Sequence, residues 1–160
     1  MNIQETIGQL LLARGATLSV AESCTGGRIS HLLTTVSGSS AYYLGSVTSY
    51  AVSVKEKVLG VPAETIRKHG VVSREVAEAM ASGVRQLTGS TYAVATTGLA
   101  EGGDGRYPEG SVWIGVSGPA GNKGWLYQCD AGRKGNIRRF STVALRKLAF
   151  YIRNEITDIK

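Results

Sequence analysis

The chain has 160 residues, of which 42% are hydrophobic and 19% are charged, and its formal net charge is +6. This composition excludes an intrinsically disordered chain and predicts one globular domain over residues 1–160. No apolar run approaches the roughly 18 residues of a membrane span, and the mixed polar start does not match a signal peptide. Cys24 and Cys129 lie too far apart for a metal-binding spacing, so reduced thiols and a cytoplasmic location are expected.

Helical and strand patterns alternate along the chain. The predicted elements, in order, are helix 3–14, strand 17–21, helix 28–35, strand 43–51, helix 53–59 capped by Ser53, a helical turn that begins with Pro62, a helix after the N-cap Ser73, strand 91–97, strand 111–117, a hairpin turn at 119–124, strand 125–130 and helix 136–157. Residues 98–110 and 132–135 are predicted loops. The alternation indicates an α/β protein with helices on both faces of a mixed sheet.

A polar, glycine-containing segment, residues 22–27, directly follows the first predicted strand. Open α/β sheets bind ligands at the carboxyl ends of their strands, so Ser23 and Thr25 are candidates for a ligand site. Gly26 and Gly27 would let backbone N–H groups approach an anion or a developing oxyanion. The alternative is that the hydroxyls only cap the next helix; the segment matches neither a phosphate-binding Walker loop nor a nucleophile elbow.

The candidate bases for a serine nucleophile are few. His31 lies inside a predicted helix and His69 at a helix end, and neither position suggests catalysis. Lys55 follows a strand end close to Tyr50, and a lysine with a lowered pKa can act as a base, with the phenol positioning it or relaying a proton. Lys55 as an ordinary surface lysine is the alternative. No His, Cys, Asp or Glu cluster has metal-ligand spacing, so neither a metal nor another cofactor is expected.

Positive charge is concentrated at the C-terminal end. Residues 133–160 contain eight Lys or Arg and two acidic residues, which accounts for the whole net charge. A basic helix there suits an anionic ligand, or is simply solvated. Aromatic residues do not interleave with the basic ones, so a nucleic-acid partner is not expected, and no membrane partner is predicted either.

Sequence blocks along nearly the whole chain resemble the CinA C-terminal domain family. The most specific is Ala21-Glu-Ser-Cys-Thr-Gly-Gly27. Weaker blocks follow in the same order: Gly38-Ser-Ser-Ala41, Tyr50 with Lys55, His69-Gly70-x-Val-Ser73, Thr97-Gly98-x-Ala100, Pro108-x-Gly110-x-Val112-Trp113, and Ile137-Arg138 ahead of a C-terminal helix. The resemblance implies a three-layer α/β/α sandwich with a mixed, mostly parallel central sheet.

The resemblance also implies an activity. Active members of the family are amidohydrolases that convert nicotinamide mononucleotide to nicotinate mononucleotide and ammonia. By position, Ser23 would be the nucleophile, Lys55 its base and Tyr50 the group that positions the lysine. Substrate contacts would come from the set Thr25, Gly26, Gly27, Thr97, Gly98 and Arg138, with Arg138 on the phosphate. The implied partner is a small mononucleotide; an open sheet with edge strands is also compatible with a homodimer.

Three segments depart from the family pattern, at four positions. Val52 stands in place of an asparagine, Glu101 in place of a glycine, and Arg133-Lys134 in place of Asp-Arg. The sequence therefore leaves a second function open, that of a paralogue without amidase activity that binds a nucleotide or a protein.

Overall fold

A five-stranded mixed sheet forms the middle layer, with strand order β2-β1-β3-β4-β5. The computed structural model describes residues 1–158, and the side chains of residues 1–155. The strands are β1 Leu18–Glu22, β2 Tyr43–Thr48, β3 Tyr92–Leu99, β4 Ser111–Gly118 and β5 Gly121–Gln128. β1 is parallel to β2 and β3, whereas β3–β4 and β4–β5 are antiparallel. The sheet is mixed, as expected, but it is not mostly parallel. The last three strands are antiparallel neighbours because the chain reverses directly between them, without a crossover helix.

Helices cover both faces of the sheet, as expected for an α/β/α sandwich. They are α1 Ile3–Arg14, α2 Arg28–Thr34, α3 Val52–Lys57, α4 Ala63–His69, α5 Arg74–Thr88 and α6 Gly132–Asp158, with a short 3-10 turn at Ser39–Ala41. The larger core lies between the sheet and α1, α2 and α6, and includes Val20, Ile114 and Phe140. The smaller core lies between the sheet and α5, which buries the face predicted from its spacing.

The α5 side of the sheet is packed at backbone distance. A Cβ atom added to Gly115 of β4 would lie 2.3 Å from the Ala77 carbonyl oxygen of α5. A Cβ atom added to Gly83 of α5 would lie 2.0 Å from the carbonyl oxygen of Leu59, just after α3. These glycines let α5 rest against both the sheet and the end of α3, and so fix where α3 lies.

Several predicted boundaries are wrong in ways that affect the site. β2 ends at Thr48, not residue 51, because the Ser49 N–H donates to the Glu22 carbonyl and the chain then turns into α3. Ala51, not Ser53, occupies the N-cap of α3, and its carbonyl accepts the Val54 and Lys55 N–H groups.

The other corrections concern helix starts and the hairpin. Pro62 is the N-cap of α4 rather than its first residue. α6 begins at Gly132, within the predicted loop, because the Asn136 side chain accepts the Ala131 N–H and donates to the Ala100 carbonyl. β5 begins at Gly121, because the hairpin turn contains only Pro119 and Ala120.

Candidate active site

A cleft of about 480 Å³ opens where β1 and β3 reach the carboxyl edge of the sheet. It is lined by Ser23, Cys24, Tyr50, Lys55, Val71, Val72, Thr97, Gly98, Leu99, Ala100, Glu101, Asp104 and Arg133. The cleft thus contains the predicted nucleophile and the predicted base, in the place where parallel strands of an α/β sheet present ligand-binding residues.

Ser23 and Lys55 meet at the bottom of this cleft. Ser23 follows the last residue of β1, and its N–H donates to the Thr96 carbonyl of β3 at 3.2 Å. The Lys55 Nζ atom lies 2.9 Å from the Ser23 Oγ atom. The Lys55 side chain is only 1% exposed and Ser23 8% exposed, so Lys55 is not an ordinary surface lysine.

Two backbone carbonyl groups hold the lysine amine. Lys55 Nζ donates to the carbonyl oxygens of Ser49, at 2.7 Å, and Tyr50, at 3.1 Å. Burial lowers the pKa of Lys55 from the 10.5 of an ordinary lysine, because the charged ammonium form is poorly solvated there.

Three oxygen atoms surround Lys55 Nζ, which donates to all of them as an ammonium group and, once neutral, can donate to only two. Carbonyl oxygens only accept hydrogen bonds, so the two N–H bonds of a neutral amine are committed to Ser49 and Tyr50. The lone pair is then the part of the amine left to face Ser23 Oγ, where it can accept the hydroxyl proton. The geometry therefore matches a serine nucleophile beside its general base.

Tyr50 holds the lysine through its main chain, not through its phenol. The Tyr50 side chain is 62% exposed, and its hydroxyl accepts a hydrogen bond from Arg133 Nη2 at 3.4 Å. The expectation that the phenol fixes the amine is wrong in this geometry, because the turn after β2 points the carbonyl inward and the ring outward.

Glu22 is a site residue that the sequence reasoning missed. Its side chain is fully buried, and its carboxylate accepts the Thr25 hydroxyl at 2.6 Å and the N–H groups of Ile29 and Ser30 at 2.9 and 3.0 Å. Its carbonyl oxygen accepts the N–H of Ser49, the residue whose own carbonyl holds Lys55. Glu22 thus stabilises the turn that carries Ser23. In the sequence, the feature that could have indicated this role is an acidic residue at the end of a buried strand.

Replacing Glu22 with glutamine is expected to lower the free energy of unfolding by about 2 kcal/mol, because an amide NH₂ group would face buried N–H donors. Urea denaturation measures this change. Glu56→Gln, a carboxamide substitution on α3, is the control and is expected to change stability by less than about 0.5 kcal/mol. Equal stability of Glu22→Gln and the unmodified protein would contradict this role for Glu22.

The segment after Ser23 serves the fold more than the cleft. Thr25 is buried, and its hydroxyl contacts Glu22 and, at 2.9 Å, the hydroxyl of Thr96. Gly26 and Gly27 adopt φ angles of +61° and +102°, which favour glycine, and neither lines the cleft. Of the amide groups expected to face an anion, that of Gly26 donates to the Ser23 carbonyl, and the next ones, at Ile29 and Ser30, donate to the Glu22 carboxylate.

Thr97 and Gly98 line the cleft, and their expected contact with the substrate stays a prediction. The Thr97 hydroxyl donates to the Val71 carbonyl at 2.9 Å and so joins β3 to the loop before α5. A Cβ atom on Gly98 would lie 2.5 Å from the Ser111 carbonyl oxygen. Glycine is therefore required there by the close pairing with β4.

The comparisons with known proteins agree with this fold. The family model described as CinA C-terminal domain matches residues 1–152. The chain belongs to the CinA C-terminal domain family.

A CinA-like protein of Salinibacter ruber is 46% identical over 149 residues, which cover 92% of this chain and 36% of that protein. A CinA-like protein of Acaryochloris marina is 46% identical over 143 residues, 88% of this chain and 34% of that protein. The chain thus spans about a third of the length of the curated relatives it matches.

Solved structures of the CinA family have the same fold. The competence damage-inducible protein A of Klebsiella pneumoniae is 30% identical, with a TM-score of 0.88, and the match covers 93% of this chain and 96% of that one. The competence/damage inducible protein CihA of Agrobacterium tumefaciens is 32% identical, with a TM-score of 0.86, and the match covers 94% and 93% of the two chains.

Of the departures from the CinA pattern, Glu101 and Arg133 line the cleft, whereas Val52 and Lys134 do not. Val52, the first residue of α3, is 39% exposed and is not a lining residue. Glu101 lines the mouth, where its charge acts on Arg133; the hydrogen bond to Tyr50 and the Glu101 carboxylate raise the pKa of Arg133. Burial lowers the pKa of Lys55, and the charge that opposes this shift is that of Cys24, not that of Glu101.

Arg133, rather than Arg138, supplies the guanidinium at the mouth of the cleft. The first turn of α6 begins earlier than predicted and brings Arg133 to this edge. Arg138 lines separate hollows beside Arg28 and Lys134 on one side and Tyr127 on the other. Its expected contact with a substrate phosphate stays a prediction.

Three further findings concern the thiol in the cleft, metal sites and membrane-spanning helices. Burial raises the pKa of Cys24 to about 12, so this thiol beside Ser23 stays protonated. Within residues 1–158, no group of three or more His, Cys, Asp or Glu side chains is arranged to hold a metal ion. No helix in the same range has the length and apolar character needed to cross a membrane.

Proposed function

We propose that this CinA-family domain is an amidohydrolase that converts nicotinamide mononucleotide to nicotinate mononucleotide and ammonia. The observation that supports it most is the 2.9 Å contact between the buried Lys55 amine and Ser23 Oγ, at the base of a cleft. A nucleophile with a base in hydrogen-bond reach is what acyl transfer requires.

The reaction proceeds in two steps. Neutral Lys55 takes the Ser23 hydroxyl proton while Oγ attacks the carboxamide carbon, and the resulting ammonium of Lys55 returns a proton to the leaving nitrogen. Ammonia departs as the C–N bond breaks, and Ser23 is left esterified by the pyridine carboxyl group. Water, deprotonated by Lys55, then attacks the ester and releases the acid, which restores the serine hydroxyl.

Backbone N–H groups at the cleft would hold the oxyanion. The Ser23 and Gly26 amides are already bonded to Thr96 and Ser23 carbonyls. Amide groups of Cys24 or Gly98, residues that line the cleft, are the better candidates. The mechanism uses no metal and no cofactor.

Two cations are available for the substrate phosphate in this proposal. Arg138 is the position implied by the family, and Arg133 is the guanidinium that lines the cleft mouth. Arg133→Gln is expected to raise KM for nicotinamide mononucleotide by about tenfold while kcat changes less than threefold, because an uncharged amide weakens binding without touching the reacting atoms. Steady-state kinetics measure it, and an unchanged KM would exclude Arg133 as a phosphate contact.

Purified protein incubated with nicotinamide mononucleotide tests the activity itself. The expected result is release of equal amounts of ammonia and nicotinate mononucleotide. A second candidate, a paralogue without amidase activity that binds a nucleotide or a protein, is favoured by Glu101, a carboxylate that lines the cleft where the family pattern has a glycine. Saturable mononucleotide binding by calorimetry without ammonia release would establish that candidate instead.

A further inference from the structure

A row of cationic side chains runs along the exposed side of α6. Lys134, Arg138 and Arg146 are exposed, and with Thr142 they occupy every fourth position of the helix. Four residues advance a helix by about 6 Å, so the row is about 18 Å long. Arg139, also exposed, lies beside it.

The row lines a concave surface, here called the α6 basic groove. One part, of about 320 Å³, is lined by Tyr127, Arg138, Arg139, Thr142, Val143 and Arg146. The adjoining part, of about 330 Å³, is lined by Arg28, Lys134, Ile137 and Arg138. Arg138 lines both parts and lies between them, and neither part has an Asp or Glu among its described lining residues.

The charges of the groove are not neutralised by ion pairs. In the part of the chain that the structure describes, the salt bridges join Arg67 to Glu64 and His69 to Glu75, all on α4 and α5. Five Lys or Arg side chains thus face one groove whose described lining has no carboxylate. Such a surface attracts a ligand with several regularly spaced negative charges.

The fold adds an aromatic ring that the sequence order hides. Tyr127 belongs to β5, and it lines the groove beside arginines of α6 that are 11 or more positions away in sequence. Nucleic-acid grooves for single strands combine a basic track with aromatic rings on which bases stack. Along the sequence, aromatic residues do not alternate with the basic ones, so only the fold brings Tyr127 beside the cationic row.

We propose that the α6 basic groove binds single-stranded nucleic acid, with phosphates on the cationic row and a base against Tyr127. A single short row fits one strand better than a duplex. A lipid surface fits less well, because the large hydrophobic side chains that are exposed in the described residues, such as Leu44, Leu87 and Phe150, lie outside the groove. The proposal does not depend on amidase activity, since no catalytic residue lines the groove.

Fluorescence anisotropy with a labelled oligothymidylate tests the proposal at several salt concentrations. With about four phosphate contacts, the slope of log K against log salt is expected to be about −3. The double variant Arg139→Gln/Arg146→Gln is expected to weaken binding by about tenfold or more at low salt, and to bring the slope to about −1.5. Arg138 is left intact because it is also a candidate substrate contact.

The matched control is Lys57→Gln/Lys68→Gln, which removes the same charge from exposed positions on α3 and α4. It is expected to retain nearly all of the binding. Equal weakening by both double variants, no binding at about 50 mM salt, or tighter binding to phosphatidylserine vesicles than to the oligonucleotide would overturn the proposal. Thermal unfolding checks that both variants are folded, and ammonia release, measured alongside, reports on the cleft separately.

Discussion

Replacing Lys55 with methionine is expected to lower kcat for nicotinamide mononucleotide by about 10²–10⁴-fold, the range that general bases contribute. Methionine fills a similar volume, but its thioether sulfur is not basic and cannot replace the amine that lies 2.9 Å from Ser23 Oγ. Ser23→Ala is expected to lose at least as much. The double variant should lose little more, because nucleophile and base act as one unit. Steady-state ammonia release measures all three.

Two control variants show that the loss reflects the amine of Lys55. Lys57→Met changes an exposed lysine on the same helix and is expected to leave kcat within about twofold. Lys55→Arg keeps the positive charge but is expected to be as inactive as Lys55→Met, since a guanidinium does not give up its proton in proteins. Activity in Lys55→Arg near that of the unmodified protein would contradict a proton-transfer role.

The lowered pKa of Lys55 also predicts how stability depends on pH. Between this lowered pKa and 10.5, the folded protein has released a proton that the unfolded chain still holds. The unfolded state then binds more protons, so the free energy of unfolding rises with pH across that window. The Lys55→Met variant lacks this contribution to stability. In the unmodified protein, kcat/KM is expected to rise with pH over the range in which Lys55 loses its proton. Urea denaturation at several pH values compares the two proteins.

Gly83→Ala is expected to lower the free energy of unfolding by about 3 kcal/mol. The new methyl group would lie 2.0 Å from the Leu59 carbonyl oxygen and 2.9 Å from its carbon, and these are backbone atoms that no side-chain rotation can move away. A loss of stability would be informative, because replacing glycine with alanine inside a helix normally stabilises the helix by about 1 kcal/mol. Urea denaturation measures the change.

Ser82→Ala, the neighbouring position on α5, is the control for Gly83→Ala and is expected to change stability by less than about 0.5 kcal/mol. Because Leu59 closely follows α3, displacement at Gly83 is also expected to move Lys55 and to lower kcat. A Gly83→Ala protein as stable as the unmodified one would show that α5 and α3 are not in backbone contact.

Local patterns were sufficient for the presence of the main elements and for naming Ser23 and Lys55 as candidates, whereas the roles proposed for these two residues came from the family resemblance. The core face of α5 follows from apolar spacing, and Ser23 follows from a strand that ends in a polar, glycine-containing turn. Lys55 could be named because few other bases were available. Whether it was buried depended on the turn after β2, which sequence spacing does not determine.

The contacts that sequence reasoning missed are long-range or depend on a helix end. Glu22 braces α2, but its side chain could be placed only once the strand and the helix were docked. The inward carbonyl of Tyr50 depends on where β2 ends. Arg133 reaches the cleft because α6 starts four residues earlier than predicted, stabilised by the Asn136 contact with the Ala100 carbonyl.

The most direct test of the proposed Ser23–Lys55 mechanism is the product formed when hydroxylamine is added to the reaction. An ester on Ser23 is attacked by hydroxylamine as well as by water, so the hydroxamate of nicotinate mononucleotide should form along with the acid. Its yield should rise with hydroxylamine concentration and vanish in Ser23→Ala. Ammonia release without any hydroxamate, or hydroxamate that persists in Ser23→Ala, would contradict an acyl-enzyme on Ser23.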